Sequence, residues 1–293
     1  MALLWVTWQI MTLIDKSSLI LVTGATGAVG PRVVHALHQA GYQIRSFSFD
    51  APTAGMFPQS VEVLIGDVTD QVAVQSAMQG VDAVVHMAAL LHIVNSPPEM
   101  REKYERVNIG GTATVVEAAI KAGVRRVVLF STIAVYGASD GHVLNEISPT
   151  NPYTFYAQTK LAAEKVVLNA RNTSGQPLGT VLRFGAIYGS RIKGNYERLT
   201  HALACHRFSP IGSGLNRWTS VYDKDVGRAA VLAVSRPAAA GRVFNVTNGG
   251  YHTLNEVSES ICAALGRKPT RFLLPVGLMP THRFKTSGYQ GDN

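Results

Sequence analysis

The stretch from Ser18 to Gly30 constrains this chain most. Leu19, Ile20, Leu21 and Val22 form an apolar run that ends abruptly among glycines, Gly24, Gly27 and Gly30, after which Val33, Val34, Leu37 and Ala40 recur at helical spacing. That change of period reads as buried strand, tight turn and helix. Glycine suits a backbone that turns left-handed or comes close to a phosphate. The helix N-terminus presents N–H groups and the positive end of its dipole, a ready site for a pyrophosphate. Pro31 fits there because first-turn N–H groups have no intrahelical acceptor to lose. An ordinary glycine-rich turn is the plainer alternative. The position between a buried-type strand and a helix favours nucleotide binding.

The rest of the 293 residues repeats this alternation. Strand patterns occupy residues 43–50, 61–65, 81–86, 127–130, 180–184 and 242–246, and helical patterns occupy 72–78, 107–122 and 156–169. Apolar strands separated by helices specify an α/β fold: a doubly wound parallel sheet, Rossmann-like, covered on both faces. Residues 11–185 are expected to form the dinucleotide-binding domain, completed by a strand near 242–247. Periodicity weakens after Arg183, and residues 186–293 are expected to form a smaller, interleaved substrate lobe. Asp50 lies about 20 residues past the glycine turn, where an acid would bond the adenosine ribose. It serves equally as a turn residue ahead of Pro52.

Composition narrows the function classes. The chain is 46% hydrophobic and 16% charged, as folded globular proteins are. Its formal net charge of +8 favours anionic ligands, yet no dense Lys/Arg tract appears, so nucleic acid is not an expected partner. Cys205 and Cys262 stand too far apart for a disulfide framework or a metal site. Both are expected to be buried free thiols in a cytoplasmic protein, and no metal is expected. Residues 1–14 are apolar, but no basic region precedes them and the run is too short to span a bilayer. Met11 is the plainer starting point, residues 1–10 stand outside the fold, and no membrane partner is expected.

Tyr156 and Lys160 are four residues apart, so on a helix they share one face. A phenol is a poor base at neutral pH, and a nearby cation is expected to lower its pKa. Such a pair can remove or return a hydroxyl proton while a hydride moves to or from a nicotinamide. Thr132, at a strand end, suits orientation of the reacting oxygen. Taken alone, Tyr156 and Lys160 would be two surface residues of a helix. Together with the glycine turn and the strand-end Ser131 and Thr132 they point to catalysis.

These residues resemble the extended short-chain dehydrogenase/reductases, in particular the NAD-dependent epimerase/dehydratase family, over residues 18–269. Residues 23–30 are similar to the family's cofactor loop, implicating Gly24, Thr26, Gly27, Ala28, Val29 and Gly30. The turn Gly66, Asp67, Val68 resembles its adenine contact, and Met87, Ala88 and Ala89 resemble the segment lining the cofactor. Asn108 resembles the asparagine that supports the site. Aligned on Val135, Tyr136 and Gly137, the catalytic hydroxyl falls on Thr132, with Ser131 its neighbour, and the tyrosine and lysine on Tyr156 and Lys160. Phe184 stands beside the nicotinamide, where the family often has proline. Asn195 and Arg217 resemble nucleotide and diphosphate contacts of the substrate, with a solvated loop residue the equal alternative for Arg217. Asp225 reads as a helix cap, and His92 and Cys205 as core or surface residues.

The resemblance implies NAD as cofactor. Ser48 stands where NAD-preferring members carry an acid, with Asp50 two residues on and Arg45 nearby, so NADP remains the alternative. It also implies a sugar-nucleotide epimerase acting by transient hydride abstraction, with a homodimer as the expected assembly. A dehydrogenase or reductase of a hydroxysteroid, nucleotide sugar or small carbonyl compound uses the same residues. A dinucleotide-binding sensor without chemistry would not need Tyr156 and Lys160. The tail at 281–293 has little apolar patterning, and the substrate lobe is expected to be shorter than in many members.

Overall fold

A computed structural model describes residues 14–91, 97–139, 141–210 and 212–268. The expectations for residues 1–13, His92 and the tail 281–293 lie outside them. The chain runs β1 (Leu19–Thr23), α1 (Gly30–Gln39), β2 (Gln43–Ser48), β3 (Glu62–Ile65), α2 (Gln71–Ala77), β4 (Ala83–His86) and α3 (Met100–Tyr104). A π-helical segment (Glu105–Gly110) joins α3 to α4 (Gly111–Lys121), followed by β5 (Arg126–Thr132), a 3-10 turn (Ile133–Tyr136), α5 (Phe155–Asn169) and β6 (Gly179–Phe184). Then come β7 (Ala186–Tyr188), α6 (Asn195–Ala204), β8 (Arg217–Trp218), β9 (Ser220–Tyr222), α7 (Asp223–Ser235), β10 (Val243–Val246), β11 (His252–Thr253) and α8 (Leu254–Ala264).

Seven strands form one sheet in the order β10-β6-β5-β4-β1-β2-β3, every pair parallel. Alternate side chains feed opposite faces, as the pleat requires. Ile20, Val22, Val128, Phe130 and Leu182 join the core under α1 and α7. Leu21, Val127, Leu129 and Val181 join the one under α2, α4 and α5. The strand order reverses between β1 and β4, where Thr23 is in register with His86. In doubly wound sheets that switch point opens a crevice at the carboxyl ends of the strands.

Helices α6 and α8 pack together around Leu199, Leu203 and Cys262 in a small separate cluster. These two helices fall in stretches whose patterning was too mixed to show them. Of the two thiols, Cys262 is buried but Cys205 is exposed, which corrects the expectation for Cys205. No described helix is long and apolar enough to cross a membrane. The described residues hold no cluster of His, Cys, Asp or Glu that could bind a metal ion.

Candidate active site

The glycine turn divides its tasks among three residues. Gly24 has φ +69°, and a Cβ there would lie 2.7 Å from the Ala88 nitrogen, so only glycine fits against the end of β4. A Cβ on Gly30 would overlap the Ala25 carbonyl, so Gly30 permits close packing of α1. Gly27 differs. Its absent Cβ would meet only the Gly24 carbonyl, at 3.1 Å, and Gly27 and Ala28 are exposed. No side chain caps α1. A backbone open at Gly27, ahead of an uncapped helix N-terminus, fits a diphosphate.

Ser48 ends β2, and its hydroxyl accepts from the Thr26 N–H at 3.2 Å. Asp50 lies exposed two residues beyond. Arg45 is tied to Glu62 at 2.8 Å and to the carbonyls of Ala77 and Gln79, which occupies its guanidinium away from the crevice. Asp67 accepts from the Thr69 N–H, while Val68 is buried and packs against Gly111. Phe184 is buried in the core, its ring centroid 4.6 Å from that of Phe130.

A buried chain of hydrogen bonds braces the crevice floor. Thr112 donates to the Asn108 carbonyl at 2.6 Å. The 3.0 Å contact between Thr112 and His86 Nε2 therefore has the imidazole as donor. Nδ1 then accepts from the Thr23 hydroxyl at 2.7 Å. The same Thr23 oxygen receives the N–H groups of Met87 and Ala88, each at 3.3 Å, which fixes the loop after β4. Burial, with the Lys160 charge adding, pulls His86 down to about 3, so it is neutral. Asn108, in the π-helical segment, grips both backbone groups of Leu90 and donates to Thr159, which donates to the Tyr156 carbonyl. Single-turn π segments are frequent at functional sites. This one gives the helix the turn that places Asn108 between the β4 loop and α5.

Tyr156, Lys160 and Glu164 stand at four-residue intervals along α5, whose N-terminus is capped by Thr154 accepting from the Ala157 N–H at 3.2 Å. Lys160 is buried, and burial draws its ammonium down to about 8 against the opposing pull of Glu164. The Tyr156 phenol moves contrary to the expectation that Lys160 would lower it. Burial, and then Tyr104, push it up to about 12. Desolvation sets the direction. At the end of β5, the neighbouring hydroxyls diverge. Ser131 is buried and donates to Glu164 at 2.5 Å. Thr132 accepts from the Ala134 N–H at 3.1 Å, which leaves its own O–H to donate. The β5 end and the 3-10 turn both pack against α5.

The residues that sequence reasoning missed here are Glu164, Arg183, Tyr136 and Tyr104. Glu164 receives three hydrogen bonds from Arg183, the shortest 2.6 Å, and Arg183 donates at 2.8 Å to the Tyr136 hydroxyl. The helical spacing of Glu164 from Lys160 was a readable signal. Tyr104, buried with its hydroxyl on the Leu91 carbonyl, gave none. Farther out, Asn195 opens α6 and Arg217 lies 4.5 Å above the Tyr251 ring. Their neighbours Tyr196 and Trp218 meet edge-on at 5.8 Å, beside Tyr188, which contacts Tyr196 and Tyr222. Asp225 is not the α7 cap. It sits in the first turn, paired with Arg228 at 3.1 Å.

The profile of the NAD dependent epimerase/dehydratase family matches residues 20–247. The chain belongs to that family. Among its relatives, N-acetyl-alpha-D-glucosaminyl-diphospho-ditrans,octacis-undecaprenol 4-epimerase of Escherichia coli O157:H7 is 29% identical, covering 88% of this chain and 76% of the relative. The 3-beta-hydroxysteroid dehydrogenase of Mycolicibacterium neoaurum is also 29% identical, over 85% of this chain and 70% of its own. Among solved structures, MoeE5 in complex with UDP-glucose and NAD superposes with a TM-score of 0.74 at 28% identity, covering 87% and 85% of the two chains. Membership accounts for the glycine turn and the switch-point crevice together.

Proposed function

We propose that this protein is an NAD-dependent sugar-nucleotide epimerase, in which hydride leaves a ring carbon and returns to its opposite face. The observation that carries the reading is the spacing of Tyr156 and Lys160 along one face of α5, a helix that packs against β5 and is bonded through Glu164 to Ser131, the neighbour of Thr132. Gly24, Thr26, Gly27, Ala28, Val29 and Gly30 would hold the cofactor diphosphate, with Asp67, Val68 and Asp50 toward the adenosine. Met87, Ala88, Ala89, Asn108 and the Phe184 backbone would line the remainder. Bound NAD supplies the hydride acceptor and, when oxidised, a positive charge. That charge and the Lys160 ammonium together offset the burial that holds the Tyr156 phenol protonated. Tyr156 takes the proton of the sugar hydroxyl and later returns it, while Thr132 donates to the same oxygen.

The charge distribution supports an anionic substrate. Residues 1–185 carry 13 Lys/Arg and 13 Asp/Glu, whereas residues 186–293 carry 14 and 6, so the excess of +8 belongs to the C-terminal lobe. Arg217, whose planar fork matches phosphate oxygens, is the residue assigned to the substrate diphosphate, and Asn195 to its nucleotide part. The relatives support the class, being named for a diphospho-sugar and for UDP-glucose.

Incubation of the purified protein with NAD and UDP-glucose, followed by chromatography of the nucleotide sugars, tests the proposal. Epimerisation yields UDP-galactose with no lasting rise in reduced nicotinamide absorbance. A lasting rise on UDP-glucose or on a hydroxysteroid would assign net dehydrogenation, the alternative that the hydroxysteroid relatives favour. Failure to bind NAD would overturn both.

A further inference from the structure

Glu164 is a buried carboxylate to which the proposed chemistry assigns no part, yet it touches three elements of the site at once. It rides on α5 one turn beyond Lys160. It accepts from Ser131, the residue next to Thr132 at the end of β5, at 2.5 Å. It accepts from Arg183 of β6 at 2.6, 3.0 and 3.1 Å. The pairing register places Ser131 opposite Arg183 and Thr132 opposite Phe184, so the carboxylate bridges β5 and β6 one residue before Thr132. Arg183 continues outward to Tyr136, whose hydroxyl donates to Asn245 of β10 at 2.8 Å.

We propose that Glu164 is a positioning residue of the active site: it fixes the Tyr156–Lys160 face of α5 against the Thr132 strand end, and it is the anion that holds Lys160 charged. This inference rests on the catalytic reading above and deepens it. A buried ammonium without an anion would lose its proton near neutral pH. Among the described residues, the groups around Lys160 leave one candidate, Glu164. His86 of β4 is neutral, Tyr156 on the same helix is a phenol held protonated, and Arg183 of β6, itself bonded to Glu164, carries like charge.

The sign of the effect follows from Coulomb's law. Removing a negative charge lowers the pKa of every proton-binding group nearby. Glu164→Gln should therefore shift the Lys160 titration downward by about one pH unit or more, about a tenfold loss in proton affinity. That midpoint is read by NMR of the full chain labelled at lysine Cε, with the resonance assigned from Lys160→Met. Glu164→Asp, which keeps the charge, should restore the midpoint but not the full kcat. A Lys160 midpoint unchanged in folded Glu164→Gln overturns the electrostatic role.

Ser131→Ala removes one bond to the carboxylate and no charge, and is the deciding variant if Glu164→Gln does not fold. It should lower kcat on UDP-glucose several-fold with KM unchanged, and wild-type kcat would overturn the positioning role. The titration needs no substrate. An enzyme inactive on UDP-glucose would therefore sink the functional reading while the Lys160 midpoint still decided the part played by Glu164.

Discussion

The hydroxyl of Ser131 donates to the carboxylate of Glu164, and this one bond separates Ser131 from its neighbour Thr132. Ser131 faces inward to a buried ion pair. Thr132, next in the chain, turns its side chain to the strand end and keeps its O–H for a ligand. Thr132→Val keeps the shape and removes the donor. It should cut kcat about 100-fold while leaving NAD affinity within about twofold, as measured by steady-state kinetics and calorimetry. Equal losses in both would place Thr132 in cofactor binding instead.

Tyr156→Phe should lower kcat by about 100- to 10,000-fold, the range for loss of a general acid–base group. The phenyl ring fills the same space, so the melting temperature should hold and NAD should still bind. Retention of wild-type turnover would remove Tyr156 from the chemistry.

The three glycines of the first turn should fail differently. Gly24→Ala puts a side chain on a left-handed backbone and against Ala88, costing about 1–2 kcal/mol from conformation alone, with the clash in addition. Gly30→Ala should not fold, because its Cβ would overlap the Ala25 carbonyl. Gly27→Ala should melt close to wild type and bind NAD weakly, since its Cβ points where a diphosphate would lie. Thermal melts with and without NAD distinguish these outcomes, and full NAD affinity in Gly27→Ala would count against the cradle.

Acid should destabilise the fold through His86. In the unfolded chain this imidazole takes a proton near 6.5, and in the fold only near about 3. Between those values the unfolded state binds more protons, so stability rises with pH across the window and falls as the solution is acidified through it. His86→Gln should be less stable than wild type at neutral pH, yet show a shallower loss of melting temperature on acidification. Parallel slopes would contradict a neutral, buried His86.

Breaking the Glu164–Arg183 pair from the other side should cost about 3–5 kcal/mol, because Arg183→Met leaves a buried carboxylate without its main partner. Arg228→Met, which breaks the exposed pair with Asp225, should change stability by no more than about 0.5 kcal/mol. Denaturant titration of both variants gives the comparison.

Helices α6 and α8 escaped the sequence reading for different reasons. Helix α8 carried a legible start: Thr253 accepts from the Glu256 N–H while the Glu256 carboxylate accepts from the Thr253 N–H, a capping box written in two residues. The stretch around α6 offered little to read, because its short apolar face is completed only by α8, far along the chain. The π-helical segment was invisible as well. Residues 107–122 have ordinary helical periodicity, and the widened turn is enforced by the hold of Asn108 on Leu90 and Thr159.

The amino-acid order alone determined the parallel sheet, the glycine turn and the shared face of Tyr156 and Lys160, because each follows from a period or spacing within a few residues. Only the folded chain decided that Ser131 turns inward to Glu164, that Glu164 pairs with Arg183, and that the Tyr156 phenol rises instead of falling. Those outcomes depend on burial and on partners 19 to 33 residues away from Glu164, and a desolvation penalty exists only once the tertiary structure has removed the water.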